Sequence, residues 1–303
     1  MKHKDQAFNI DHERINPETT AVQHALLDAY EYSRVICLNL DVERRACPTG
    51  SGVNTVKDLR KAIRETPFWK FQRAQVELLD LVDAHRRNKT FTSREALGLT
   101  VATFVHGILL STGCRRSEVC HLREGNNTHL LAGSRRVMLR AVDRKNEKIH
   151  ECELRDRWLP DWFIDHYLKA VRPLISTNDQ TTCISKPFLV MNPYAKRPYG
   201  CREENADDGS GRDSITFRNS KKQIGNLWKV HVATAFVTLG YHVPSEKQQF
   251  GMHIIRNVGG HAVFMTKGLE KAAHFLGDSV GSVEGVYAAL KGESVDTSLL
   301  EDV

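Results

Sequence analysis

The chain has 303 residues, of which 41% are hydrophobic and 26% are charged, and its net charge is +6. This length allows two domains, and the composition excludes a chain that is disordered throughout. The positive charge favours a polyanionic partner. Because an apolar run of about 18 residues and a secretory signal are both missing from the sequence, we expect a cytoplasmic protein without a membrane span.

The first 88 residues are predicted to form a helical N-terminal domain. Apolar residues recur there at near-helical spacing in three stretches, at residues 17–40, 56–65 and 69–84. A loop rich in Pro, Gly and charge separates the first two stretches, at residues 44–54. A second domain, residues 89–303, is expected to follow a basic hinge and to end in a C-terminal tail.

The second domain is predicted to open with a helix that ends near Gly113. Thr92-Ser93-Arg94-Glu95 has the spacing of a capping box, in which Thr92 accepts from the Glu95 amide. Alternating residues at 135–142 and 148–154 predict a β-hairpin. Further helices are expected at residues 160–171 and 226–239, and a long surface loop or partly ordered insertion at 191–222. The fold class is therefore α+β, mainly helical, with a small antiparallel sheet.

The cysteines limit the chemistry that can be expected. There are seven, an odd number, and none lies in a C-x-x-C pair. We interpret them as reduced, mostly buried thiols, with a zinc site or a disulfide framework as the alternative.

Four short motifs follow one another in an informative order. Thr112-Gly-Cys-Arg-Arg-Ser-Glu supplies Arg115 at a helix start, and His253 and Arg256 are three residues apart, so they project from one helical face. Leu-Gly-Asp278 follows, and Tyr287 comes nine residues after that aspartate. Two arginines, a histidine and a phenol can hold a phosphodiester while a phenolate attacks its phosphorus.

This run of motifs resembles the tyrosine recombinase (phage integrase) family over roughly residues 90–290. The family pattern is an arginine within G-x-R-x-S-E, a lysine on a β-hairpin, H-x-x-R, a His or Trp after L-G, and a nucleophilic tyrosine nine residues later. The resemblance implies a tyrosine recombinase catalytic domain whose catalytic positions are Arg115, Lys145, His253, Arg256, Asp278 and Tyr287.

The resemblance also implies what the protein does. A site-specific recombinase or integrase of a mobile element would cleave and rejoin double-stranded DNA through a 3′-phosphotyrosyl link. That link conserves the bond energy, so no metal, ATP or other cofactor is expected. Residues 1–88 and 89–303 would clamp the DNA between them, and four protomers would assemble on it as a homotetramer. Accessory DNA-bending factors are possible further partners. The protein would then be associated with the nucleoid in the cytoplasm.

Each group then has an expected role. The guanidinium groups of Arg115 and Arg256 would bind non-bridging phosphate oxygens, and their charge would make the Tyr287 phenolate easier to form. Lys145, at the tip of the hairpin, would protonate the departing 5′ oxygen. His253 would donate to the phosphate or exchange a proton with the tyrosine.

Asp278 departs from the family pattern, because an ionised carboxylate repels a phosphate and cannot donate a hydrogen bond. Three outcomes stay open: Asp278 turns away, serves another partner, or reduces the activity, and His274 is a candidate substitute. Lys148 competes with Lys145 for the hairpin position. Glu118 is expected to orient an arginine rather than to act on the substrate.

Two other functions remain compatible with the sequence. A type IB topoisomerase or a hairpin telomere resolvase would use related chemistry without paired sites. A catalytically weak or non-enzymatic DNA-binding protein on the same fold is favoured by Asp278. The tail after Tyr287 is expected either to pack on a neighbouring protomer, through Leu290, Val295 and Leu299-Leu300, or to be frayed.

Overall fold

A computed structural model describes the chain at residues 56–120, 122–125, 128–139, 149–175, 189–193, 197–198, 215–245, 250–287, 290 and 296–300. Over these residues the protein is mainly helical with small antiparallel sheets, in agreement with the predicted α+β class. The helix predicted at residues 17–40 and the loop predicted at 44–54 lie outside the described residues.

The elements are numbered in chain order. The α-helices are α1 Val56–Glu65, α2 Phe68–Arg87, α3 Arg94–Thr112, α4 Arg116–Cys120, α5 Asp161–Asp165, α6 Arg172–Ile175, α7 Ile215–Thr238, α8 Met252–Lys267, α9 Leu269–Leu276 and α10 Val280–Tyr287. A π-helical segment, His166–Val171, joins α5 to α6. Strands β1 Arg136–Leu139 and β2 His150–Glu153 pair antiparallel, as do β3 Met191–Asn192 and β4 Arg197–Pro198.

Helix α3 lies at the centre of the core. Every residue from Leu99 to Thr112 is buried, and the helix packs against α2, α7 and α8. By length and composition it is apolar enough to cross a membrane, but 89% of that apolar window is buried inside the fold. A helix that is apolar on all sides is expected at the middle of a packed core. Helix α3 therefore forms the support on which the elements of the candidate site are arranged.

The cap of α3 differs from the predicted capping box by one residue. Ser93, not Thr92, is the N-cap, and its hydroxyl accepts from the Ala96 amide at 3.2 Å. The helix ends as predicted at Gly113, whose φ of 57° is left-handed. A Cβ at this glycine would lie 2.6 Å from the ring of Phe275, so the sharp turn and the close packing both require glycine.

Helices α1 and α2 share one hydrophobic core with the rest of the described chain. The Phe71 ring packs against Trp228, Phe236 and Phe250, and the Gln75 amide donates to the Trp158 carbonyl at 2.6 Å. The described part of the predicted N-terminal domain thus packs directly on the segment that follows it. The domain boundary at residue 88 stays a prediction.

The β-hairpin is present with its inward face buried. Val137 pairs with Cys152, and both side chains are buried. Arg135, just before β1, donates to the Leu159 carbonyl at 2.9 Å and to Asp156 at 2.6 Å, so it fixes the hairpin to the loop before α5. The turn at residues 140–148, with Lys145 and Lys148, lies outside the described residues.

The interval 191–222, predicted as a surface loop or partly ordered insertion, carries regular elements at both of its ends. Residues Met191–Asn192 and Arg197–Pro198 form β3 and β4, and α7 begins at Ile215 rather than near residue 226. Polar composition favours loops, but intrinsic propensity is a weak prior that packing overrides. The described part of α7 has that packing, since buried residues recur at helical spacing at Ile224, Leu227, Trp228, Val232, Ala235 and Phe236.

The C-terminal tail contacts its own chain where it is described. Leu290 is fully buried in the core, and the partly buried Leu300 packs against it. Leu290 is therefore not available to a neighbouring protomer in this state, whereas Leu299 is 37% exposed. Val295 lies outside the described residues.

Candidate active site

The residues predicted to act on a phosphodiester meet at one place, where the turn after α3 faces helices α8, α9 and α10. Arg115 lies just before α4, and Arg256 lies on the first turns of α8 with His253. Asp278 follows the left-handed Gly277 that ends α9. Tyr287 is the last residue of α10. Lys145 lies outside the described residues, so its position and that of Lys148 stay predictions.

Asp278 bridges the two arginines. Its Oδ1 accepts from Arg115 Nη2 at 3.1 Å, and its Oδ2 accepts from Arg256 Nη2. The side chain of Arg256 is only 4% exposed, whereas that of Asp278 is 25% exposed. The carboxylate therefore does not turn away: it serves another partner, the arginine pair.

A second carboxylate orients Arg115 from the protein side. Glu118 is buried, and its Oε1 accepts from Arg115 Nη1 at 3.1 Å while its Oε2 accepts from the Arg115 backbone amide at 2.6 Å. Such charge-assisted bonds hold the planar guanidinium group in one orientation. The expectation that Glu118 orients an arginine agrees with these contacts.

Arg256 is held by the turn that ends α3. Its Nη1 donates to the Gly113 carbonyl at 2.7 Å. Burial lowers the pKa of Arg256, while the nearby Asp278 carboxylate raises it. Because a guanidinium group is a very strong base, it stays charged, and its partners are needed to offset the loss of water. Two guanidinium groups and two carboxylates thus form a balanced cluster.

His253 lies close to this cluster while keeping an exposed surface. Partial burial, and then the charges of Arg256 and Arg115, lower the pKa of His253 to about 4. The imidazole is therefore neutral near pH 7. A neutral imidazole donates through one ring nitrogen and accepts through the other, so His253 can take up or hand on a proton.

Tyr287 is held away from solvent by α8. Its side chain is 3% exposed, and its hydroxyl donates to the Asn257 carbonyl at 3.1 Å. The ring stacks on Phe264 with centroids 5.9 Å apart, and a Cβ at Gly260 would collide with the tyrosine hydroxyl. Burial raises the pKa of Tyr287, and the charge of Arg256 only partly opposes this. In this position the phenol is a poor nucleophile.

A cavity of about 630 Å³ beside the cluster was missed by sequence reasoning. Thr112 and Phe275 form the wall that it shares with the Gly113 turn. The other lining residues include five cationic side chains and two carboxylates, namely Arg135, Arg155, Arg157, Lys267, Lys271, Glu153 and Asp156. The basic residues on α8, α9 and the loop after β2 are far apart in sequence, so only the fold brings them together.

His274 belongs to this cavity. Its ring contacts that of His150 edge-on at 5.5 Å between centroids, and both histidines line the cavity. The arginine pair instead binds the Asp278 carboxylate. The structure gives His274 no contact with that pair, so its role as a substitute for Asp278 gains no support.

Within the residues that the structure describes, no three His, Cys, Asp or Glu side chains are grouped to bind a metal ion. Cys114, Cys120 and Cys152 are buried thiols, in agreement with the interpretation of the cysteines, and the other cysteines lie outside the described ranges.

No model of a known protein family matches the sequence, and searches of curated proteins and of solved structures also gave no match. Functional conclusions therefore depend on the motifs and on the contacts of the cluster.

Proposed function

We propose that this protein is a tyrosine-type site-specific recombinase, with a tyrosine recombinase catalytic domain, that cleaves and rejoins DNA through Tyr287. The convergence of Arg115, His253, Arg256 and Tyr287 around one buried ion-pair cluster supports this proposal. These residues come from three distant parts of the sequence, and the motifs selected them without knowledge of the fold. Their meeting is hard to explain if each motif occurred by chance.

In the proposed reaction, the two guanidinium groups bind the non-bridging oxygens of one phosphodiester. The Tyr287 oxygen forms a bond to phosphorus, and the bond from phosphorus to the 5′ oxygen breaks. The phenol proton passes to neutral His253 or to water, and the departing oxygen takes a proton from the hairpin lysine, Lys145 in our prediction. The arginines lower the barrier as charge accumulates on the phosphate oxygens.

The reaction requires Tyr287 to leave its buried position against α8. We call this position, formed by Asn257, Gly260 and Phe264, the seat of Tyr287. The helix that carries Tyr287 is short, and Gly281 and Gly285 weaken it further, since each glycine costs about 1 kcal/mol relative to alanine. Val280 and Val286 on this helix are exposed, so it has few contacts on that side. These features favour a segment that is rearranged when DNA binds.

In this proposal, the basic residues that line the cavity beside the cluster bind the DNA backbone on either side of the cleaved phosphate. Contacts with the phosphate backbone release counterions, so affinity should fall steeply as salt rises. The homotetramer on DNA, the accessory bending factors, the clamp with residues 1–88 and the location at the nucleoid remain parts of the same proposal.

A covalent capture experiment tests the proposal without knowledge of the target. The protein is incubated with a pool of nicked duplexes with randomised sequence on both sides of the nick, and protein–DNA adducts are resolved on a denaturing gel. We expect an adduct that Tyr287→Phe abolishes while duplex binding is kept. An adduct of equal yield from the Phe variant would refute the assignment of the nucleophile.

One specific observation favours a second candidate function, a DNA-binding protein without strand cleavage. Asp278 occupies both arginines and Tyr287 is buried, so neither half of the site is free in this state. Such a protein would bind duplexes with the same salt dependence and would give no adduct. Relaxation of a supercoiled plasmid without any selected site would instead indicate a type IB topoisomerase or a telomere resolvase.

A further inference from the structure

We infer that Asp278 is a tethered competitor of the phosphate: its carboxylate fills the anion site made by Arg115 and Arg256 and must be displaced before a phosphodiester can bind there. The identity of the final ligand as DNA rests on the proposed function. The exchange of one anion for another at this arginine pair does not.

The contacts of Asp278 match those required of a phosphodiester. Each of its two oxygens accepts from a different guanidinium group, one on Arg115 and one on Arg256. A phosphodiester likewise has one negative charge and two non-bridging oxygens, and arginine pairs bind either group in the same forked manner. If both anions were present, two like charges would share one site, which is unfavourable. The two anions are therefore alternative occupants.

The two carboxylates of the cluster differ in how firmly they are held. Glu118 is 1% exposed, and it binds both the side chain and the backbone amide of Arg115. Asp278 is 25% exposed and lies between two helices, directly after the left-handed Gly277. Glu118 thus forms the fixed wall of the site, and Asp278 is the side chain that can swing out.

Displacement of Asp278 would also reach Tyr287. The short helix α10 begins two residues after Asp278 and ends at Tyr287. When the carboxylate leaves the arginines, the start of this helix loses one of the contacts that hold it, while its end depends on the contact of Tyr287 with α8. Binding of a phosphate and release of the nucleophile therefore act on opposite ends of one short segment. Asp278 is a positioning residue for both.

Inorganic phosphate is a direct probe of the exchange. Thermal melting of the full chain is measured in sodium phosphate and in sodium chloride at equal ionic strength, for the wild type and for Asp278→Asn. The Asn variant keeps the size of the side chain and removes its charge. We expect its apparent affinity for phosphate to be at least tenfold tighter than that of the wild type, seen as a larger phosphate-dependent rise in Tm.

Asp165→Asn is the matched control, because it also removes a carboxylate from an ion pair, with Lys169 at 2.9 Å, but on the exposed side of α5. It should respond to phosphate as the wild type does. Equal phosphate responses in all three proteins would overturn the inference. Asp278→Ser is the second variant: if both position-278 variants stay unfolded even in phosphate, a free anion cannot replace the carboxylate, and the inference also fails.

The adduct assay separates this inference from the proposed function. If both hold, Asp278→Asn should give several-fold more covalent adduct than the wild type at limiting DNA concentration. Tighter phosphate binding without adduct in either protein would overturn the recombinase proposal alone. Adduct in the wild type with an unchanged phosphate response in the Asn variant would overturn the competitor role alone.

Discussion

The arginine cluster and the seat of Tyr287 adjoin each other but are built in opposite ways. In the cluster, buried guanidinium groups are fixed by Glu118, Asp278 and the Gly113 carbonyl. In the seat, the Tyr287 ring packs between Phe264 and His261, and its hydroxyl donates to a backbone carbonyl. The guanidinium groups that would bind a phosphate are thus already in place, while the tyrosine that would attack the phosphate is buried away from it.

This difference separates the two guanidinium groups and Glu118, which stay in place, from Asp278 and Tyr287, which must move. A charged cluster of this kind is costly to disrupt, because each buried charge depends on its partners. The seat depends on ring packing and on space left by a glycine, so emptying it leaves no buried charge without its partner. The predictions below perturb the two regions separately.

The largest effect is expected at Arg256. Its replacement by alanine removes a buried partner of Asp278 and leaves the Gly113 carbonyl without its donor. We expect a loss of about 3 kcal/mol or more in the free energy of unfolding, measured by urea denaturation. Arg136→Ala, at an arginine that is 79% exposed, is the control and should change it by less than about 0.5 kcal/mol.

Glu118→Gln tests the wall of the cluster. The amide keeps the shape but removes a charge that binds Arg115 at two points, and hydrogen bonds to charged groups contribute about 1.5–3 kcal/mol. We expect a loss of unfolding free energy in that range by denaturant titration. A loss below about 0.5 kcal/mol would mean that the guanidinium group is not held by this carboxylate.

Gly260→Ala tests the seat. A Cβ there would collide with the Tyr287 hydroxyl and lie 2.9 Å from Leu276 Cδ1, so we expect a cost of about 1–3 kcal/mol. The tyrosine should become more accessible to nitration. Gly285→Ala is the matched control, because a Cβ at that position meets nothing within 4 Å, and it should be neutral or stabilising. Unchanged nitration in Gly260→Ala would contradict the packing of the seat.

The smallest effect is expected from His253. Its pKa is about 4 in the folded state, below the ordinary value of 6.5, so protonation is disfavoured in the folded protein. Its contribution to stability is therefore fully present above about pH 6.5 and is lost as the pH falls towards 4. His253→Gln should flatten the pH dependence of Tm in this window. If the Tm of the variant depended on pH as steeply as that of the wild type, the lowered pKa of His253 would be contradicted.

Local patterns in the sequence predicted local structure well. The spacing of His253 and Arg256 placed them on one helix, and the end of α3 at Gly113 follows from the left-handed turn that glycine favours. The hairpin followed from alternation, and Val137 and Cys152 form its buried face. The N-cap differed by one residue, since Thr92 and Ser93 can both cap a helix and geometry alone decides between them.

The sequence patterns did not predict the contacts between segments that are far apart in the chain. The partner of Asp278 depends on how α3, α8 and α9 pack, and a one-dimensional motif shows only that a carboxylate replaces the expected donor. The burial of Tyr287 likewise depends on Gly260, which no motif includes. The early start of α7 at Ile215 was hidden by polar composition. For Asp278 and Tyr287, tertiary packing supplies information that local spacing lacks.

The most direct test of the central claim is to identify the residue that carries DNA. Adducts from the nicked-duplex pool are digested with nuclease and protease, and the peptides are sequenced by mass spectrometry. The account predicts a nucleotide linked through its 3′ phosphate to Tyr287, in the peptide that follows Asp278. A nucleotide on another residue, such as Tyr241, would contradict it.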